Sequence, residues 1–259
     1  GEMSGIVSTP GEALLGVVRV PPDKSISHRS IIFGAIADGV TKVSNLLEGE
    51  DVLATVEAFR NLGVAIDGPE AGNMTISGVG KNGLEAAGCE LDLGNSGTSM
   101  RLLSGLLAGQ RFGSRLTGDA SLKRRPMTRV VEPLTKMGAR IAASDGHPPL
   151  DILGAARLHG IEYRLPMASA QVKSALLLAG LYASGQTIVD EPTKTRDHTE
   201  RMLAGFAGAT WNPTGPVSIN SQIELTGQTL AVPGDISSGA FLLVAATLRQ
   251  GSDVLLSGV

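Results

Sequence analysis

Apolar residues in this 259-residue chain gather into helix-length runs with almost no polar side. Ser30-Ile-Ile-Phe-Gly-Ala-Ile-Ala37 and Ser174-Ala-Leu-Leu-Leu-Ala-Gly-Leu181 are the clearest. A helix that is apolar nearly all round belongs in an interior rather than on a surface. Such runs open on small polar clusters: Lys24-Ser-Ile-Ser-His-Arg29, Asn95-Ser-Gly-Thr-Ser-Met-Arg101, Ser169-Ala-Gln-Val-Lys-Ser174 and Asp235-Ile-Ser-Ser-Gly-Ala-Phe241. From Ser25 to Ser96 to Ser169 to Ser237 the step is about 70 residues, and a fixed step of this kind marks internal repeats.

Each copy predicts the same order of elements. A first helix covers Ser25 to Ala37, Ser96 to Ala108 and Ser169 to Ala183, followed by a turn at Gly39, Gly113 or Gly185. A β-branched stretch comes next, as in Thr41-Lys-Val43 and Thr187-Ile-Val189. A second helix starts near Glu50-Asp51, Pro126 or Asp197, and Asp197-His-Thr-Glu200 has capping-box spacing. It stops at Leu62-Gly-Val64, Met137-Gly-Ala139 or Ala207-Gly-Ala209, where glycine takes the left-handed conformation that ends a helix. Closing strands follow, as in Met74-Thr-Ile-Ser77 and Ser218-Ile-Asn220. The unit is βαβαββ-like, and the expected class is α/β, a three-fold repeat of such units with buried helices inside and sheet outside.

The fourth copy is partial. Asp235 to Leu248 predicts a helix and Ser252-Asp-Val-Leu-Leu-Ser257 a strand, with no second helix after them. A terminal cap carries a polar outer face, which Phe241-Leu-Leu-Val-Ala-Ala246 does not have. These residues therefore read as part of a second, truncated domain. Gly5 to Val20 fits no copy and reads as another piece of it, with the repeats inserted between.

Composition narrows the function. At 42% hydrophobic and 18% charged residues the chain can bury an ordinary core. Aromatics at 3% and a net charge of -3 argue against nucleic-acid binding, which needs stacking platforms or a basic footprint. No apolar run is long enough to span a membrane. The single cysteine, Cys89, excludes an internal disulfide framework and fits a reducing, cytoplasmic setting. It lies beside Leu91-Asp-Leu93 and is expected to be buried and inert.

The polar clusters carry the chemistry. Helix starts present free amides and the positive dipole end. The sequence sets Lys24, Arg29, Arg101 and Lys173 near them, with Lys123-Arg-Arg125 in a turn before Pro126. Ser25, Asn95, Thr98, Ser169 and Gln171 add neutral donors and acceptors. A lone serine at a helix start is a cap and a lone lysine a solvated charge, but both recur at equivalent positions. A phosphorylated, hydroxyl-bearing small molecule suits such a set. Gly94-Asn-Ser-Gly-Thr98 is neither a Walker A loop nor a dinucleotide fingerprint. His28, His147, His159 and His198 lack metal-ligand spacing, so no metal or cofactor is expected, and His28 reads as a structural histidine.

Six segments in order resemble the 5-enolpyruvylshikimate-3-phosphate synthase family. They are Pro22-Asp-Lys-Ser-Ile-Ser-His-Arg29, Leu93-Gly-Asn-Ser-Gly-Thr-Ser-Met-Arg101, Gly118-Asp-Ala-Ser-Leu-Lys-Arg-Arg-Pro126, Pro166-Met-Ala-Ser-Ala-Gln-Val-Lys173, Thr195-Arg-Asp-His198 and Pro233-Gly-Asp-Ile-Ser-Ser238. The Met-Ala-Ser-Ala-Gln and Thr-Arg-Asp-His forms resemble its class II branch. The resemblance implies transfer of the enolpyruvyl group of phosphoenolpyruvate to the 5-hydroxyl of shikimate 3-phosphate, in aromatic amino-acid biosynthesis. It also implies the enolpyruvyl transferase-like inverse α/β fold, with two domains of three βαβαββ units each. Residues 21–230 would be one complete domain, and 1–20 and 231–259 pieces of the other.

The resemblance further implies that Lys24, Ser25, Arg29, Ser169, Ala170, Gln171 and Arg196 hold shikimate 3-phosphate. Phosphoenolpyruvate would meet Lys24, Asn95, Gly97, Thr98, Arg125 and Gln171, with Lys24 shared by both substrates as the catalytic member. The family's main acid and base residues would lie beyond Val259, so this chain alone is expected to bind shikimate 3-phosphate weakly without turnover. Asp235 belongs to a binding motif and is not that base. Gly97 leaves room for glyphosate, an inhibitor that alanine at the matching position crowds out. A monomer is expected. The related transferase acting on UDP-N-acetylglucosamine usually has Lys-Asn where this chain has Lys24-Ser25, and a cysteine near Gly118 to Arg125 that this chain lacks. RNA 3'-phosphate cyclases share the fold but not the motifs. A non-catalytic phosphometabolite-binding module, or one half of a split enzyme, is the alternative of a different kind.

Overall fold

The computed structural model describes residues 20–154, 157–211 and 213–234. The predicted helix and strand of the fourth copy, and all but the last residue of Gly5–Val20, lie outside them. The first copy contains α1 (Lys24–Ile36), β1 (Asp38–Ser44), α2 (Glu50–Asn61), β2 (Ala65–Glu70) and β3 (Asn73–Val79). The second contains β4 (Leu91–Asp92), α3 (Gly97–Ala108), β5 (Ser114–Thr117), α4 (Ala120–Lys123), α5 (Thr128–Lys136), β6 (Ile141–Ser144) and β7 (His147–Ile152). The third contains β8 (Glu162–Arg164), α6 (Ala170–Gly180), β9 (Thr187–Asp190), α7 (His198–Ala207) and β10 (Val217–Ile219), and β11 (Thr229–Ala231) follows.

The apolar runs become enclosed helices, as their pattern requires. Ile31, Ile32 and Phe33 of α1 are all fully buried, as are Leu102 and Leu103 of α3 within 1% and Leu176 and Leu177 of α6. Successive helical residues point about 100° apart, so consecutive buried positions mean that the helix is surrounded. Helix α6 stops at Gly180, short of the expected Ala183. Close approach needs glycine: a Cβ on Gly105 of α3 would stand 2.1 Å from the Ala175 carbonyl oxygen of α6. The second helices end as predicted, at Gly63, Gly138 and Gly208 with φ of +89°, +102° and +65°.

Among the described residues three sheets wrap these helices, in the orders β11-β1-β3-β2, β4-β5-β7-β6 and β10-β9-β8. In the second and third, the strand before the buried helix runs parallel to the strand after it: β4 with β5, and β8 with β9. Among the described residues the first copy has no such leading strand of its own. Its place beside β1 is taken by β11, also parallel, with Lys42 opposite Thr229 and Ser44 opposite Ala231. The division expected at residue 230 therefore falls inside a strand of the first sheet. The Asp23 amide donates to the Pro233 carbonyl at 2.9 Å, so the chain enters and leaves the three copies side by side. No helix of the described residues is long and apolar enough to cross a membrane.

Two local expectations are corrected. Cys89 is exposed, because only Leu91 and Leu93 of its neighbourhood turn inward. Asp197 makes no capping bond to α7. Its carboxylate accepts from Arg201 Nε at 2.9 Å and Trp211 Nε1 at 3.1 Å, while Glu200 turns inward to Lys173.

Candidate active site

The three buried helices start from one kind of cap. Asp23, Ser96 and Ser169, 73 residues apart at each step, accept from the amides of Ile26, Ser99 and Val172 at 2.8, 3.0 and 3.2 Å. Two residues past each cap stand Ser25, Thr98 and Gln171, all half-buried. The repeat thus delivers one polar side chain per copy to a common end of the helix cluster.

Polar side chains join the helices there in pairs. His28 Nδ1 of α1 lies 3.1 Å from Ser99 Oγ of α3 and 2.9 Å from Thr55 Oγ1 of α2. Burial first, and then the charges of Lys24 and Arg29, push His28 down to about 4, so it is neutral at pH 7. It is a satisfied core histidine, as expected. Arg29 Nη2 of α1 donates to Ser174 Oγ of α6 at 3.0 Å, and its Nε to Thr199 Oγ1 of α7 at 2.8 Å. Gln171 Nε2 of α6 donates to Thr98 Oγ1 of α3 at 2.9 Å.

One side of this end is a cation cluster. Arg101 Nη1 donates to Gln171 Oε1 at 2.8 Å. Arg125 Nη2 donates to Asn95 Oδ1 at 2.8 Å, and Asn95 Nδ2 in turn donates to Asp119. The expected turn at Lys123-Arg-Arg125 is tighter than read: Ala120–Lys123 form a short helix capped by Asp119, and Arg125 follows it. Gly97 sits between the two guanidiniums, where a Cβ would lie 2.7 Å from Arg101 Nη1 and 2.8 Å from Arg125 Nη1. Burial, then the charges of Arg125 and Arg129, lower Arg101. Like charges set this close at the first turn of α3 make an anion-binding surface.

The other side gathers at the starts of α1 and α7. Ser25 Oγ lies 3.0 Å from His198 Nδ1 and accepts from Arg29 Nη1 at 2.6 Å. Arg29 is nearly fully buried, and burial brings it down to about 10, so it stays charged. Burial also lowers His198, with Asp23 acting against it. Arg196 and Lys24 are exposed, and Lys24 Nζ pairs with Asp51 at 2.5 Å. Ser169 and Ala170, half-buried at the start of α6, adjoin Gln171 in the chain.

Lys173 is the misplaced residue of the expected cation set. It is wholly buried and bound to Glu191 and Glu200, out of reach of a ligand. Sequence reasoning also passed over His198 as a partner of Ser25, and over the bridge from Arg101 to Gln171. The available signal was position: Arg29 and Arg101 each stand one turn into their helices.

Comparison with known proteins identifies the family. A family profile described as EPSP synthase (3-phosphoshikimate 1-carboxyvinyltransferase) matches residues 8–259. A 3-phosphoshikimate 1-carboxyvinyltransferase of Alkalilimnicola ehrlichii is 59% identical over 251 residues, 96% of this chain and 56% of that protein. One from Acidithiobacillus ferrooxidans is 58% identical over 258 residues, covering 99% and 59%. The solved EPSP synthase of Acinetobacter baumannii superposes with a TM-score of 0.82 at 56% identity, over 90% of this chain and 53% of that one. The chain thus spans a little over half the length of the relatives it matches. Match, identity and fold together place it: the chain belongs to the EPSP synthase family.

Proposed function

We propose that this chain forms the shikimate 3-phosphate-binding wall of an enzyme that transfers the enolpyruvyl group of phosphoenolpyruvate to the 5-hydroxyl of shikimate 3-phosphate. In that reaction a C–O bond forms between the 5-oxygen and the enol carbon, the bond from that carbon to the phosphate oxygen breaks, and phosphate leaves, the proton of the 5-hydroxyl passing on balance to the departing phosphate. The observation that carries the reading is Gly97 between the guanidiniums of Arg101 and Arg125. Two guanidiniums brought together over a residue with no side chain concentrate positive charge at one point, and an arginine fork matches either charged group of a small phosphorylated carboxylate.

Ser25, Ser169, Ala170, Gln171, Arg29 and Arg196 serve shikimate 3-phosphate. Asn95, Gly97, Thr98, Arg125 and Gln171 serve phosphoenolpyruvate, and Lys24 leaves Asp51 to lie between the two. The contribution of these residues is to hold two anions in line, which supplies roughly 7–11 kcal/mol in the best intramolecular cases. Residues from about 21 to the end of β11 form the three-copy half, and 1–20 and the residues after β11 belong to a facing half. The adjacent entrance and exit of the chain at Asp23 and Pro233 support an inserted domain.

Titration calorimetry of the chain with shikimate 3-phosphate, with and without glyphosate, tests the reading. Binding of the first with little coupling to the second is expected. No heat from shikimate 3-phosphate at millimolar concentration overturns it.

A further inference from the structure

Lys173 was expected among the ligand-facing cations and is instead buried beneath them. Its ammonium has four oxygens around it: both oxygens of Glu191 at 3.1 Å, Glu200 Oε2 at 3.0 Å and the backbone carbonyl of Arg196 at 3.2 Å. Glu191 Oε1 also accepts from the Thr195 amide at 3.1 Å and from the Thr195 hydroxyl. Each residue of Thr195–His198 is thereby anchored. Thr195 is held by Glu191, the Arg196 carbonyl by Lys173, Asp197 by Arg201 and Trp211, and His198 by Ser25. What this leaves in solvent is the Arg196 side chain.

We propose that Lys173 is a positioning residue: from inside α6 it clamps the Arg196 backbone, fixing where the Arg196 guanidinium stands relative to Gln171 at the start of the same helix. The inference rests on the functional reading above, because that reading gives Arg196 its ligand. A buried ion pair is a weak source of stability, often no better than packed apolar side chains. An ammonium among two buried carboxylates and a carbonyl therefore calls for a reason beyond stability, and the carbonyl bond supplies one. Burial raises the Glu200 carboxyl, and Glu200 Oε1 has no hydrogen-bond partner among the described residues, so Glu200 is the dispensable arm.

The test uses Lys173→Met/Glu200→Gln, which removes the clamp with no change of net charge, and Glu200→Gln, which keeps it. Shikimate 3-phosphate affinity is measured by calorimetry, and Trp211, the sole tryptophan, reports the segment by its emission. The double variant is expected to bind about tenfold more weakly, a loss of the size of one hydrogen bond to a charged group. Glu200→Gln is expected to bind like the parent. Arg196→Ala added to the double variant should weaken binding no further, because a guanidinium no longer held contributes nothing to lose. Parental affinity in the double variant, or losses that multiply, overturns the clamp. If the double variant has no cooperative melt, Thr195→Val takes its place and the same comparison with Arg196→Ala decides. If the parent itself does not bind shikimate 3-phosphate, the functional reading falls and the clamp is judged on ligand-free emission. A shift of Trp211 emission in the double variant but not in Glu200→Gln upholds it, and equal spectra overturn it.

Discussion

Arg101 and Gln171 hold each other across the two most closely packed helices. The guanidinium donates to Gln171 Oε1 at 2.8 Å, and Gln171 Nε2 returns a bond to Thr98 on the helix that carries Arg101. Both functional groups of one amide are used to aim one cation. Gln171→Ala should cost about 1 kcal/mol of stability, a hydrogen bond to a charge discounted for partial exposure. It should also weaken phosphoenolpyruvate binding in the presence of shikimate 3-phosphate. Denaturant unfolding and calorimetry read the two effects separately.

Gly97→Ala tests the space between Arg101 and Arg125. The atoms a methyl would meet are the tips of flexible side chains, so stability should change by less than about 1 kcal/mol. The displaced guanidinium should weaken glyphosate inhibition of the full-length enzyme more than phosphoenolpyruvate use. Equal inhibition of the parent and Gly97→Ala enzymes would refute the steric account.

Gly105→Ala is the contrasting case. The added methyl meets the Ala175 carbonyl oxygen in a fixed backbone, so α3 and α6 must part. Overpacking of this kind costs typically 1–3 kcal/mol, or roughly 3–10 °C in melting temperature for a chain of this size. A melting curve like that of the parent would show that the helices part more easily than their packing implies.

His28 makes stability depend on acid. Its value falls from 6.5 to about 4 on folding, so below pH 6.5 the unfolded chain binds a proton that the folded chain refuses. Stability present above pH 6.5 is therefore lost progressively toward pH 4, by up to about 3 kcal/mol from this group. His28→Gln should be less stable at pH 7 yet lose less between pH 6.5 and 4. Parallel stability-pH curves for parent and variant would exclude His28 as the source.

The sequence was most informative where structure is decided locally. Ile31-Ile-Phe33 announced a buried helix because enclosure demands apolar residues on every side, and Gly63, Gly138 and Gly208 announced helix ends because φ there is positive. The cation pair around Gly97 was half legible: Arg125 was expected there, while Arg101 was expected only as one of the cations near the helix starts, with no partner assigned to it. Lys173 was misread because its partners Glu191 and Glu200 come from other elements, and a charge beside a helix start looks the same whether it faces water or the core. The Asp197–Glu200 spacing misled for the same reason, since Lys173 draws Glu200 inward. Strands β4 and β8 are too short to show a period, and that β11 lies beside β1 is a long-range fact no local pattern carries.

That last pairing has a consequence for synthesis. When β1 and β3 leave the ribosome, the strand that completes their sheet is about 150 residues away, or roughly 8–30 s at ordinary elongation rates. Until then Lys42, Val43 and Ser44 present an open parallel edge of the kind that invites pairing with another chain. The first sheet to be translated is thus the last to close. A nascent chain stalled before Thr229 should be recognisable by its sensitivity to protease along β1.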